Sequence, residues 1–197
     1  MEARNEYYTT LWLIQQFLNS GGGIPFTFFM DLRSITHYFS KRPVAECVDI
    51  TPVQDISLTR YMGRWYEQAR LENWFERDMS EVCTDYRLNP DGSIDIINAG
   101  RTKHGRHKKS HGKGICETTG VLQVSFVPPY CWFRSPYHIL YLADDYSAAL
   151  VSGAGAGYLW FLTRARRADT CTLKELAKEA RRRGFDTDQL RPTWQMA

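Results

Sequence analysis

The sequence predicts an all-β domain, an eight-stranded up-and-down antiparallel β-barrel with one C-terminal α-helix packed outside. Three observations lead there. From residue 60 onward short segments alternate apolar and polar residues with period two, turn residues separate them, and only one late segment has helical spacing. Consecutive antiparallel strands leave two open edges unless the sheet closes on itself, and a barrel closes them while enclosing a lumen.

The first strand is expected over 61–71 and the second over 82–88. Asn89-Pro90-Asp91-Gly92 is a strong turn signal leading into a third strand over 93–100. A basic stretch is expected to run as a solvated loop to a fourth strand over 112–117. Thr118-Thr119-Gly120 then turns into a fifth over 121–127, which Pro128-Pro129 stops because proline cannot donate to a ladder. Strands over 136–143, 147–152 and 157–164 complete the set, joined by Asp144-Asp145-Tyr146 and a glycine-rich turn over 153–157. The helix has Thr170 as its expected cap, Leu173, Leu176, Ala177 and Ala180 at helical spacing, and Gly184 as its stop after Arg181-Arg182-Arg183.

Composition bounds the rest. With 197 residues, 43% hydrophobic and 24% charged, the chain buries enough apolar surface to exclude disorder. Residues 55–197 form the expected domain; residues 1–54 are an aromatic-rich, aperiodic extension, consistent with a start assigned too far upstream. That extension lacks the pattern of an export signal: Gln15 and Gln16 interrupt its apolar stretch and no small-x-small site follows. Val44-Ala45-Glu46-Cys47 faintly resembles a lipidation box, with Glu46 where a small residue is expected. The longest apolar run, ten residues over 153–162, is too short to span a bilayer as a helix.

The net charge of +3 does not imply nucleic-acid binding, and none is expected. Yet Arg101, Lys103, Arg106, Lys108, Lys109 and Lys113 crowd thirteen residues together with His104, His107 and His111. This stretch reads as a solvated loop or as a contact for an anionic surface or a phosphate. Its lysines would repel a cation, so no metal site is expected. The five cysteines show no C-x-x-C; free thiols and one or two disulfides both remain open.

Gly63-Arg64-Trp65-Tyr66-Glu67 resembles the G-x-W motif of the lipocalin family. Asp145-Tyr146 resembles that family's T-D-Y motif, with Asp144 in place of threonine, and Trp160-Phe161-Leu162-Thr163-Arg164 its final arginine motif. The flavour of 60–67, Phe75-Glu76-Arg77 and Gly184-Phe185-Asp186 is similar to the bacterial outer-membrane lipocalin and apolipoprotein D branch. Gly63, Trp65, Asp145, Tyr146 and Arg164 then read as architecture, the indole plugging the narrow end and the guanidinium lying over its face.

If Arg164 points inward, strand parity sends Leu162 and Trp160 inward too. The same reasoning places Val82, Thr84, Tyr86 and Leu88 inward on the second strand, Ile94, Ile96 and Asn98 on the third, and Leu122, Val124 and Phe126 on the fifth. His138, Leu140 and Leu142 are expected inward on the sixth. The candidate ligand-binding residues are Tyr86, Asn98, His138, Phe126, Leu140 and Trp160. Tyr86, Asn98 and His138 match, within their motifs, pocket positions of apolipoprotein D, with histidine where that protein has tryptophan.

The resemblance implies binding, storage or transport of a small hydrophobic ligand, with fatty acid or lysophospholipid the leading class, in service of membrane maintenance. No cofactor, metal or catalytic residue is expected. A peripheral membrane contact is expected, as is a monomer or homodimer. The location implied is periplasmic or outer-membrane-associated in a bacterium and secreted otherwise. One lipocalin branch is an isomerase using a lumenal thiol on the second strand, where Cys83 lies; Cys83 shares parity with Asp85 and Arg87, expected outside. A stress-protection protein with an incidental pocket is the third class. The aromatic hairpin over 128–133 either folds over the mouth or touches a membrane.

Overall fold

The computed structural model describes residues 48–73, 76, 78–126 and 134–196. The chain divides into two units, Met1–Pro43 and Val44–Ala197; all that follows concerns the second. A short helix α1 (Leu58–Tyr61) precedes β1 (Gly63–Leu71), β2 (Met79–Leu88), β3 (Ser93–Thr102), β4 (His107–Thr118), β5 (Val121–Ser125), β6 (Ser135–Leu142), β7 (Ala148–Ser152) and β8 (Leu159–Thr163). Helix α2 (Thr170–Arg182), a 3-10 turn (Thr187–Gln189) and a short strand β9 (Leu190–Pro192) end the unit. Each strand from β1 to β8 pairs antiparallel with the next and β1 pairs with β8, closing an eight-stranded barrel to which β9 adds. The expected barrel and outer helix are present.

Local chemistry sets these elements. Gly92 takes a positive φ of 82° in the β2–β3 turn, where Asn89 N–H donates to Ser93 O. Helix α2 is capped by Asp169, whose carboxylate accepts from Thr172 N–H at 2.9 Å, one residue before the expected Thr170. Gly184 stops it in a left-handed conformation, φ 86°.

The basic stretch is not a loop. β3 extends to Thr102, a tight turn follows, and β4 starts at His107, so that Lys108 pairs with Gly100 and Lys109 with Ala99. Charge suggested solvent, but Ser110, Gly112 and Gly114 alternate with Lys109, His111 and Lys113: one face is small, the other cationic and exposed.

The apolar side chains form two clusters separated by the barrel wall. Tyr61, Trp65, Tyr86, Ile94, Ile96, Leu122, Val124, Ile139, Ala149, Val151 and Leu162 pack inside. Leu71, Leu140, Ala148, Leu150, Leu159 and Phe161 face outward and are covered by Leu176 and Ala180 of α2 and by Phe185. The segment preceding α1 belongs to this packing, with Val48 and Ile50 against the outer cluster and Val53 and Ile56 against the inner one. Arg183, 8% exposed, ties it down by donating to Asp49 O, Thr51 O and Leu140 O while its Nε donates to Glu179 at 2.8 Å.

Candidate functional site

The two ends of the barrel differ. At the base, the Arg164 guanidinium lies 4.0 Å from the Trp65 ring centroid and donates to the carbonyls of Arg60, Tyr61, Met62 and Arg64. Trp65 is fully buried and its Nε1–H donates to Tyr61 O at 2.9 Å. The Asp145-Tyr146 turn is clamped to the same end: the Tyr146 hydroxyl accepts from Ser57 N–H, Arg60 lies 3.9 Å above the Tyr146 ring, and Arg60 donates to Asp144 O. All five motif residues therefore meet at the closure, Gly63 with a φ of 93° and space for a Cβ limited by Arg164.

Above the indole stands a tyrosine triad. Tyr137 OH bonds Tyr61 OH at 2.7 Å and Tyr86 OH at 3.1 Å. Burial raises the pKa of all three phenols, Tyr86 to about 12, so they stay neutral at physiological pH and hydrogen-bond one another without charge. Tyr86 was legible from the sequence. Tyr137 was not, because parity had assigned that side of the sixth strand to His138.

That assignment is corrected by the register. Tyr137 opposes Leu122, and Ile139 opposes Val151, all in the inner cluster. His138 instead pairs with Val121 and Ser152 on the outward side. A bulge between Ile139 and Tyr141 then shifts the phase, so Leu140 packs outside beneath α2 whereas Leu142 returns inward. Leu88, also expected inward, is 36% exposed at the end of β2.

The other candidates lie inside, toward the opposite end. Thr84, Asn98 and Ser110 oppose one another across β2, β3 and β4 as a polar belt. The Asn98 Oδ1 atom is buried and accepts no hydrogen bond among the described residues. Phe126 sits over Gly112, where an added Cβ would come within 2.6 Å of its ring, so glycine makes room for the phenyl. Trp160 packs on the inner cluster, stacks on Tyr158 at 6.0 Å and donates from Nε1 to Glu76 at 2.9 Å. Asn98, Ser110, Phe126, Tyr158 and Trp160 are half-buried although they face inward, in contrast to the sealed base. This end is the mouth; the β3–β4 turn lies on its rim.

A buried polar network on β1 was missed by sequence reasoning. Glu67, Arg70 and Thr193 are 2%, 5% and 5% exposed, and Glu67 bonds both Arg70 and Thr193. Arg70 also donates to Glu76 O and Met79 O, while its Nε remains buried without a partner among the described residues. Thr193 and Gln195 enter from the C-terminal segment: β9 pairs with the upper half of β1, Thr193 N–H donates to Gln68 O, and Glu81 N–H donates to Trp194 O at 2.7 Å. Gln195 Nε2 bridges Glu67 O and Val82 O. The segment thus fills the seam where β1 and β2 diverge, their direct pairing covering only Gly63 to Tyr66 on β1. A clue existed in Glu67, which shares the strand parity of the inward Trp65.

Burial, reinforced by the Glu76 charge, pushes the Glu67 carboxyl up to about 7. Protonation is therefore favoured in the folded state, and this contribution to stability is full below about pH 4.5 and lost as pH rises through about 7. In thermal melts from pH 5 to 8, the parent is expected to lose stability relative to Glu67→Gln by an amount of order 1–3 kcal/mol. A constant difference between the two over that range would contradict it.

Cys83 opposes Tyr66 and Ala99 on the outer wall, with the lumen on the far side of the strand, and burial raises its thiol pKa. The hairpin over 128–133, Phe75, Arg77 and Cys47 lie outside the described residues. Among the described residues no helix is long and apolar enough to cross a membrane.

Comparison with known proteins agrees with this geometry. A family model described as a lipocalin-like domain matches residues 56–195. The outer membrane lipoprotein Blc of Vibrio cholerae is 38% identical over 146 residues, covering 72% of this chain and 84% of the relative. Temperature-induced lipocalin-1 of Arabidopsis thaliana is 32% identical, covering 76% and 85%. Among solved structures, lobster apocrustacyanin A1 superposes with a TM-score of 0.60 at 19% identity, covering 72% of this chain and 81% of that one. Insecticyanin from the tobacco hornworm Manduca sexta gives 0.59 at 15% identity, covering 77% and 87%. Motifs, barrel and comparisons converge: the chain belongs to the lipocalin family, whose members bind and transport small hydrophobic ligands.

Proposed function

We propose that this barrel binds and carries a single-chain amphiphile, a fatty acid or lysophospholipid, for membrane maintenance in a bacterial envelope. The observation that carries the reading is the layering of the inner wall. Asn98 Oδ1 and Arg70 Nε, an acceptor and a donor buried without partners among the described residues, lie toward the mouth. Below them Ile94, Ile96, Val124, Val151 and Leu162 offer only hydrocarbon. A head group that both donates and accepts, such as a glycerol hydroxyl or a protonated carboxyl, satisfies Asn98 Oδ1 and Arg70 Nε together, and the tail descends toward the tyrosines. Burying about fourteen methylenes at roughly 0.8 kcal/mol each gives on the order of 11 kcal/mol, which ordering costs reduce by half or more. Micromolar to submicromolar affinity follows.

Tyr86, Asn98, Phe126 and Trp160 are the proposed lumenal contacts; His138 and Leu140 act on the outer wall. Likeness to an outer membrane lipoprotein of Vibrio cholerae supports the envelope location. The outward position of Cys83 favours binding without turnover over a thiol-dependent isomerase. Mass spectrometry of an organic extract of the purified protein tests the reading. A stoichiometric fatty acid or lysophospholipid is the expected result; a polar metabolite or a polycyclic pigment in its place would overturn it.

A further inference from the structure

The outer wall near the mouth carries a feature that ligand binding does not use. β4 presents His107, Lys109, His111 and Lys113 outward, all exposed, while Lys103, His104 and Arg106 occupy the adjoining turn. The nearby acids are already engaged: Asp78 with Lys103 at 3.1 Å, Glu81 with Arg101 at 2.8 Å, and Asp95 with Arg87 at 2.6 Å. Among the described residues Arg106 and Lys109 have no ion-pair partner, and Lys113 lies opposite an Asp95 that Arg87 already holds, so the wall carries an excess of positive charge.

A second, independent observation lies two strands away. Trp194 is 78% exposed and Met196 54% exposed, both unusual for such side chains in a folded domain. This exposure is not fraying. Thr193 and Gln195, on either side of Trp194, are 5% and 7% exposed and hydrogen-bonded in the seam, and the Trp194 carbonyl is held by Glu81. Glu81 in turn pairs with Arg101, whose ladder partner is His107, so the indole and the cationic strand share one continuous wall. Arg166 and Arg167 border it, bonded to Met196 O and Gln195 O. With strands about 4.8 Å apart, the distance from the C-terminal segment across β2 and β3 to β4 is roughly 14 Å. Such a patch fits beneath a few lipid headgroups.

We propose that this wall docks on an anionic phospholipid surface, its lysines and arginines on the phosphates and Trp194 in the headgroup layer. Indole rings favour the membrane interface, and each nearby cation adds about fivefold in binding to a charged leaflet. Charge complementarity selects this occupant over a second copy of the chain, since two such walls would repel each other. Docking also brings the rim of the mouth to the membrane, where an amphiphile can pass without crossing water.

The test is co-flotation of the full chain with vesicles of phosphatidylcholine alone or with roughly one third phosphatidylglycerol. Parent protein is expected to bind the anionic vesicles and to release as salt rises. Arg106→Glu with Lys109→Glu lowers the partition coefficient at least about thirtyfold, and Trp194→Ala about fivefold. Titration of the same variants with a fluorescent fatty acid, without vesicles, is expected to match the parent, which separates loss of docking from loss of folding or of the lumen. Equal binding to neutral vesicles, variants that bind like the parent, or a salt-resistant dimer that the variants abolish would each overturn the proposal.

Discussion

Trp65→Ala is expected to lower stability by about 3–5 kcal/mol and the melting temperature by roughly 8–15 °C. The indole is wholly buried, donates to Tyr61 O, and is covered by Arg164. Alanine leaves a cavity between α1 and the tyrosine triad, and it leaves the guanidinium without the ring that shields it. Removal of the cation–π contact alone contributes only about 0.5–2 kcal/mol, so most of the loss is packing. Thermal or urea unfolding checks this. A change below about 1 kcal/mol would mean that the base is not sealed by this side chain.

Asn98→Trp is expected to do the reverse, sparing the fold while closing the lumen. Asn98 is half-buried, faces inward at the polar belt, and among the described residues accepts no hydrogen bond through its Oδ1. An indole there displaces about four methylenes of ligand, worth roughly 3 kcal/mol or on the order of a hundredfold in affinity. Fluorescent fatty acid titration of folded variant and parent reads the effect. Unchanged affinity would place the ligand elsewhere.

Much of this architecture was legible in the sequence because period-two alternation is a direct imprint of a wall with two faces. The base was legible through Gly63, Trp65, Asp145, Tyr146 and Arg164, since a closure needs particular side chains at particular places. Three features escaped for physical reasons. The first half of β4, before the expected start at 112, was hidden because its inward residues, such as Ser110, are too small and polar to register as apolar, while its outward residues carry charge. The contents of β6 were inverted from Tyr137 to Leu140, where Tyr137 and Ile139 rather than His138 and Leu140 face inward, and the bulge beyond Ile139 restores the expected direction at Leu142. β9 and the seam depend on three-residue pairing and on hydrogen bonds from Thr193 and Gln195, which leave no periodic trace. The inward direction read from parity consequently holds where the count is unbroken, at Tyr86, Asn98, Phe126 and Trp160.

The most direct test of the account is competition at the lumen. Lipid-stripped protein is titrated with a fluorescent fatty acid, then with unlabelled fatty acid and lysophospholipid. Saturable, one-to-one binding in the micromolar range or tighter, displaced by both amphiphiles, is the expected result. A barrel that stays folded and shows no saturation across the micromolar range would contradict it.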